Sequence, residues 1–195
     1  MEKPIIFSGE MVNAILVGMK TQTRRVIIPQ PPWGKPYFNG AVWQTETAGK
    51  MLEYQPHRIG EVLWVRETWV ASENGYVYRA VDTNASWKWR PSAYMPRAAA
   101  RIFLRVTDVR TERLRDITED DAIAEGFEGI PCDHLGMGSY ACTDCMNTGW
   151  LEPPTVGFYE TWEKLNAKLG YGCDTNPWVW VYTFERVIGS HNEKV

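Results

Sequence analysis

The run "EVLWVRETWV", residues 61–70, decides how this chain is read. β-branched and aromatic residues fill it, and "GYVYRAV" (75–81) has the same character, with Asn74-Gly75 between them as a turn. The two runs are predicted to pair as a hairpin. Working outward, "ARIFLRVTDVR" (100–110) alternates Ile102, Leu104 and Val106 against Phe103 and Arg105, the period-two pattern of a half-buried strand. "NPWVWVYTFERV" (176–187) sets Val179 and Val181 on one side and Trp178, Trp180, Tyr182 and Phe184 on the other, so both of its faces are expected to be covered. Strands supply the framework.

Helices punctuate it. Ser8 to Gly18 reads as a helix: Ser8 can accept the free amides of the first turn, Glu10 suits the dipole, and Met11, Val12, Ile15 and Leu16 form one apolar face. "ITEDDAIAEG" (117–126) offers Thr118 as N-cap, Ile117 and Ala122 as a staple, acids in the first turn and Gly126 as a stop. "TVGFYETWEKLNAKLG" (155–170) offers Thr155 as N-cap and a stripe of Phe158, Trp162, Leu165 and Leu169. From about 29 to 60, Pro and Gly break every period, which predicts a long loop with one short strand near residues 41–45. The expected architecture is α+β: one domain over residues 1–195, a small, mostly antiparallel barrel with flanking helices and a Cys-rich insertion at about 128–154.

Composition bounds the function. The formal net charge is -3, with 21 Lys+Arg against 24 Asp+Glu, which argues against a protein that coats nucleic acid by charge alone. No apolar run approaches the roughly 20 residues of a membrane span and "MEKPIIFSGE" has no secretory h-region, so no membrane is expected and the cytoplasm is the expected compartment. Nothing in the sequence sets the oligomeric state, with a monomer as the default. No organic cofactor is expected.

The chemistry-bearing stretch is "GMKTQTRR", residues 18–25. A threonine hydroxyl becomes a nucleophile only when a base takes its proton, and a lysine serves as that base when burial or neighbouring cations disfavour its charged form. Lys20 and Thr23 are that pair, with Arg24 and Arg25 as the neighbouring cations. By spacing alone, a solvated basic helix exit accounts for the stretch better. Trp64, Arg66, Glu67 and Trp69 have two open readings, barrel core or a pocket lining that stacks on a base. Arg97 is likewise a phosphate contact or a structural residue. His57 reads as a surface histidine.

Gly18, Lys20, Thr21, Thr23 and Arg25 after a helix, with "GEVLWVRETW" and the closing "WVWVYTFERV", resemble the ASCH domain family, which shares the PUA-like β-barrel. With "YMPRAAARIFL" and "NPWVWV" added, the chain is similar to the long ASCH proteins of phages and prophages, which would place it in a host cytoplasm. The resemblance implies recognition of RNA or of a modified nucleoside or nucleotide. It extends to N4-acetylcytidine amidohydrolases: their lysine falls on Lys20, their nucleophilic threonine on Thr23, and their glutamate on Glu125 in "ITEDDAIAEG". It implies Arg25 as an oxyanion contact, and Arg24, Trp64, Arg66, Glu67 and Arg97 as binding residues. A non-catalytic reader of RNA or a modified nucleotide, or an ASCH-type ribonuclease, are the alternatives it leaves.

"CDHLGMGSYACTDCMNTGW" supplies Cys132, His134, Cys142 and Cys145, a Cys-x-x-Cys knuckle preceded by a cysteine and a histidine. That spacing suits a tetrahedral structural zinc, against free thiols in an insertion. Cys173 is a further candidate for the fourth ligand in place of His134.

Overall fold

The structure, a computed structural model, describes residues 2–32, 34–47, 50–54, 56–132 and 150–188. In chain order the elements are β1 (Glu2–Ile6), α1 (Gly9–Leu16), β2 (Gln22–Val26), β3 (Tyr37–Phe38), β4 (Trp43–Thr47), β5 (Lys50–Tyr54) and β6 (Val62–Arg66). There follow β7 (Trp69–Ser72), β8 (Gly75–Tyr78), β9 (Phe103–Arg113), α2 (Glu119–Ala124), β10 (Ile130–Pro131), β11 (Trp150–Glu152), α3 (Pro154–Asn166) and β12 (Trp178–Arg186). Strands outnumber helices and the class is α+β. The largest sheet has five strands in the order β1-β6-β9-β12-β2.

The chain divides into two compact units. The first comprises Met1–Thr21, Pro56–Arg110 and Tyr182–Val195. Here β1 pairs in parallel with β6, with Pro4 opposite Trp64, and β6 pairs antiparallel with β9, with Leu63 opposite Leu104. β12 follows β9 in the strand order. Sequence reading missed β1 because of its proline and charges; β1 stands at the sheet edge, where a missing amide is tolerated. The expected hairpin starts later than the sequence suggested. β7 and β8 form it, Ser72 opposite Gly75, whereas β6 breaks off at Arg66 and joins the larger sheet. Trp64, Trp69, Met95, Ala99, Ala100 and Phe103 make one apolar cluster of this unit. Helix α1 begins as expected: the Ser8 hydroxyl accepts the Met11 amide at 3.3 Å, and Val12 and Ile15 are buried.

The second unit comprises Gln22–Gln55 and Thr111–Val181. In place of the expected long loop it holds a three-stranded antiparallel sheet, β3-β4-β5. The Asn39 side chain accepts the amides of Ala41 and Val42, both at 2.9 Å, and Gly40 takes φ +95°, so the Pro/Gly text encodes a turn between strands as well as breaks. Trp43 and Tyr54 then pack edge-on against Trp180, with centroids 5.1 and 6.0 Å away. That contact is made across the sequence, so no local pattern announces it. Both faces of β12 are covered, as predicted: Val179, Trp180, Val181, Tyr182 and Phe184 are all buried.

Helices α2 and α3 close the apolar cluster of this unit with Leu114, Ile117, Ala122, Phe158, Trp162, Val179 and Val181. Thr118 caps α2 by accepting the Asp121 amide at 3.1 Å. Helix α3 starts one residue before Thr155, with Pro154 inside its first turn, because proline's fixed φ and missing amide suit that position. Thr155 instead binds the Glu119 carboxylate through hydroxyl and amide. The predicted stripe stops at Trp162, since Leu165 and Leu169 are exposed. Strands β10 and β11 pair across the ends of the Cys-rich insertion, Ile130 opposite Glu152 and Pro131 opposite Trp150.

Candidate functional site

In the second unit the site is built on β2. Its residues Thr23 and Arg24 are 3% and 4% exposed, so the strand is covered on both faces. Alternation sends Thr23 and Arg25 one way and Arg24 and Val26 the other, and Val26 packs on the α2–α3 cluster. The Arg24 guanidinium lies among three carboxylates. Its Nη2 is 2.6 Å from Glu112 Oε1 and 2.9 Å from Asp121 Oδ2, and its Nη1 is 3.3 Å from Glu125 Oε1. Its Nε also donates to Glu112 at 2.8 Å, and its carbon lies 5.7 Å from the Phe158 ring centroid. Glu125 itself is 4% exposed.

Arg24 is therefore the shared counter-charge of three acids. Asp121, read from sequence as a first-turn residue, has a second use as an ion-pair partner. Asp121 on α2 and Glu125 at its C-cap are four apart and reach the same guanidinium, and that spacing is the signal that could have found the pair. Glu112, at the far end of β9, carried no local signal.

The first unit holds Lys20, Trp64, Arg66, Glu67 and Arg97. Lys20 is 2% exposed, with its ammonium 5.7 Å from the Phe7 ring centroid. Buried lysines are rare because the charged head ordinarily stays in water. Glu67 is 1% exposed and is gripped bidentately by Arg101, Nε to Oε1 at 2.8 Å and Nη2 to Oε2 at 2.9 Å. Arg101 in turn stacks 4.1 Å from the Tyr78 centroid. Sequence reading did not name Arg101. Arg66 lies over Trp64 at 4.6 Å and donates to the Ala93 carbonyl at 3.2 Å, while Arg97 lies over Phe103 at 4.3 Å and pairs with Glu2 at 2.6 Å. Trp64 is a member of the apolar cluster.

His57 is half-buried, with Nδ1 3.1 Å from Glu61 Oε2 and its ring edge-on to Tyr182. Burial pushes the Glu61 carboxyl up, but Lys3, the Arg58 amide and His57 together outweigh it and hold it below its ordinary value. Of the zinc candidates, Cys132 is buried directly after β10, whereas His134, Cys142 and Cys145 lie outside the described residues. The Cys173 thiol donates to the Tyr159 carbonyl at 3.6 Å, and burial, reinforced by Glu163, pushes it up to about 11. Among the described residues no three His, Cys, Asp or Glu side chains group as metal ligands, and no helix is long and apolar enough to cross a membrane.

No protein-family model matches the chain, and no curated protein does. The chain is similar to a solved structure titled as an ASCH domain from Lactobacillus crispatus JV V101, with a TM-score of 0.44 and 12% identity over 95% of this chain and 79% of that one.

Proposed function

We propose that the protein is an amidohydrolase acting on an N-acylated nucleoside of the N4-acetylcytidine kind, through Lys20, Thr23 and Glu125. One observation carries the reading. The buried polar residues among those described are Lys20, Thr23, Arg24, Thr45, Glu67, Thr111 and Glu125, so the three residues implied by the ASCH resemblance are all withdrawn from water. Burial is what a lysine needs to act as a base, and polar side chains are seldom buried without a use.

In the proposed reaction Lys20 takes the Thr23 hydroxyl proton as Oγ1 attacks the acetyl carbonyl. The carbon–nitrogen bond breaks, the departing amine receives a proton by way of Glu125, and water hydrolyses the acyl-threonine to acetate. Arg25 is the proposed oxyanion contact. Arg24, bound to Glu125 Oε1, would hold that carboxyl in place.

The test is incubation with N4-acetylcytidine and chromatographic detection of cytidine. Wild type is expected to turn over, and Thr23→Ala to lose at least about a thousandfold in rate, as loss of a nucleophile does. Turnover that survives Thr23→Ala would remove the nucleophile assignment. A second reading, a non-catalytic reader of a modified nucleotide, is favoured by the Glu125–Arg24 contact, because a carboxylate engaged by a buried guanidinium already has a structural use. Wild-type binding of N4-acetylcytidine without turnover would decide for it.

A structural zinc on Cys132, His134, Cys142 and Cys145 is proposed from their spacing. Metal analysis of protein purified without chelator is expected to find about one zinc per chain; none would remove the proposal.

A further inference from the structure

The first unit contains a cleft that the reaction above does not use. It is open, about 650 Å³ in volume, and lined by Ala71, Ser72, Glu73 and Asn74 at the β7–β8 turn and by Trp87. Glu73 is the one charged residue of that lining. It is exposed, and no hydrogen bond or ion pair joins it to the described residues. The indole is fixed: its Nε1 donates to Asp82 Oδ2 at 3.0 Å, and the other oxygen of Asp82 accepts the Asn84 amide at 2.8 Å. A donor bonded to an anion is polarised, which enriches the negative face of the ring.

Elsewhere in this unit an aromatic ring and a carboxylate are joined by an arginine. The Arg101 guanidinium lies 4.1 Å from the Tyr78 centroid and grips Glu67 with two nitrogens. The Arg97 guanidinium lies 4.3 Å from the Phe103 centroid and pairs with Glu2 at 2.6 Å. The cleft offers the same two partners, Trp87 and Glu73, and its lining includes no arginine.

We infer that this cleft binds a guanidinium, the arginine side chain of a polypeptide partner, stacked on Trp87 and paired with Glu73. A planar cation suits a single indole face, and its fork matches a carboxylate; a compact ammonium does neither as well. The bond to Asp82 holds the indole in place before binding, so less ordering is required of the complex. Ser72 and Asn74 supply polar groups for the backbone on either side of the arginine. Lys88, which follows Trp87 and does not line the cleft, is a like charge that weakens binding without blocking it.

Titration followed by the backbone amide signals of residues 71–75 in 15N NMR tests this. Acetyl-arginine amide should shift them saturably, acetyl-lysine amide should bind at least about twofold more weakly, and acetyl-citrulline amide, which keeps the shape without the charge, should not bind. Trp87→Ala and Glu73→Gln should each weaken the arginine probe about 2- to 5-fold, and Trp87→Phe, which keeps a ring, should lose less. Lys88→Gln should tighten it. Acetyl-Gly-Ser-Arg-Ser-Gly amide should bind more tightly than acetyl-arginine amide; agmatine binding more tightly than that peptide would assign the cleft to a small guanidine and overturn the polypeptide partner. Three other results overturn the proposal: no saturable shift of wild type at about 100 mM probe, a hundred times a millimolar Kd; equal binding of the arginine and lysine or citrulline probes; or affinity indifferent to both Glu73→Gln and Trp87→Ala. None of these measurements involves acyl hydrolysis, so this inference and the amidohydrolase reading fail separately.

Discussion

Replacing Arg24 by methionine is expected to cost about 3 to 5 kcal/mol of stability at neutral pH, a fall of about 6 to 20 °C in Tm for a chain of this size. The arginine side chain is wholly buried, and Glu112, Asp121 and Glu125 converge on it. Methionine fills much of the volume but leaves three carboxylates close together with no guanidinium between them. Desolvation and mutual repulsion then favour their protonated forms. The native variant would bind more protons than its unfolded chain, so its stability should rise as pH falls, and its deficit against wild type should shrink between pH ~7 and ~5. Urea unfolding at both values measures this. A deficit that stays constant with pH would show that lost packing dominates. Arg24→Lys should recover only part, since an ammonium is a point charge and lacks the fork that reaches several acids.

The second large effect is expected in the other unit. Arg101→Met removes the bidentate partner of Glu67, whose carboxylate is 1% exposed. The loss is again about 3 to 5 kcal/mol, most of it the cost of an uncompensated buried charge. The additional change Glu67→Gln removes that charge and should restore a substantial part, giving a coupling of about 0.5 to 3 kcal/mol in the double-mutant cycle. Additive effects would mean that the two side chains do not act as a pair. The measurement also bears on substrate binding. From sequence Glu67 was open between a ligand contact and a structural ion pair, and Arg101 engages both its oxygens.

Local physics was legible where the chain obeys it locally. Ser8 and Thr118 were read as caps and are caps, because an N-cap bond spans three residues. The two covered faces of β12 followed from alternating large side chains. What failed was pairing at a distance. That β6 would leave its neighbour β7 for β1 and β9, or that Pro-rich text would hide a sheet docked on Trp180, depends on partners tens of residues away. The site divides in the same way. The Lys20–Thr23 stretch was visible as a motif, whereas Glu112 and Arg101 are distant counter-charges that no spacing reveals.

β12 is the last described strand to leave the ribosome, yet it is an interior one, with β9 and β2 as its neighbours. Its residues Val179 and Val181 also complete the apolar cluster between α2 and α3. During synthesis, β9 and β2 must therefore each keep one edge unpaired until the segment that forms β12 emerges. A nascent chain that stalls before Trp178 would present open sheet edges, the state that chaperones bind and that aggregates. Arrival of β12 is therefore the step that joins β2 to β9.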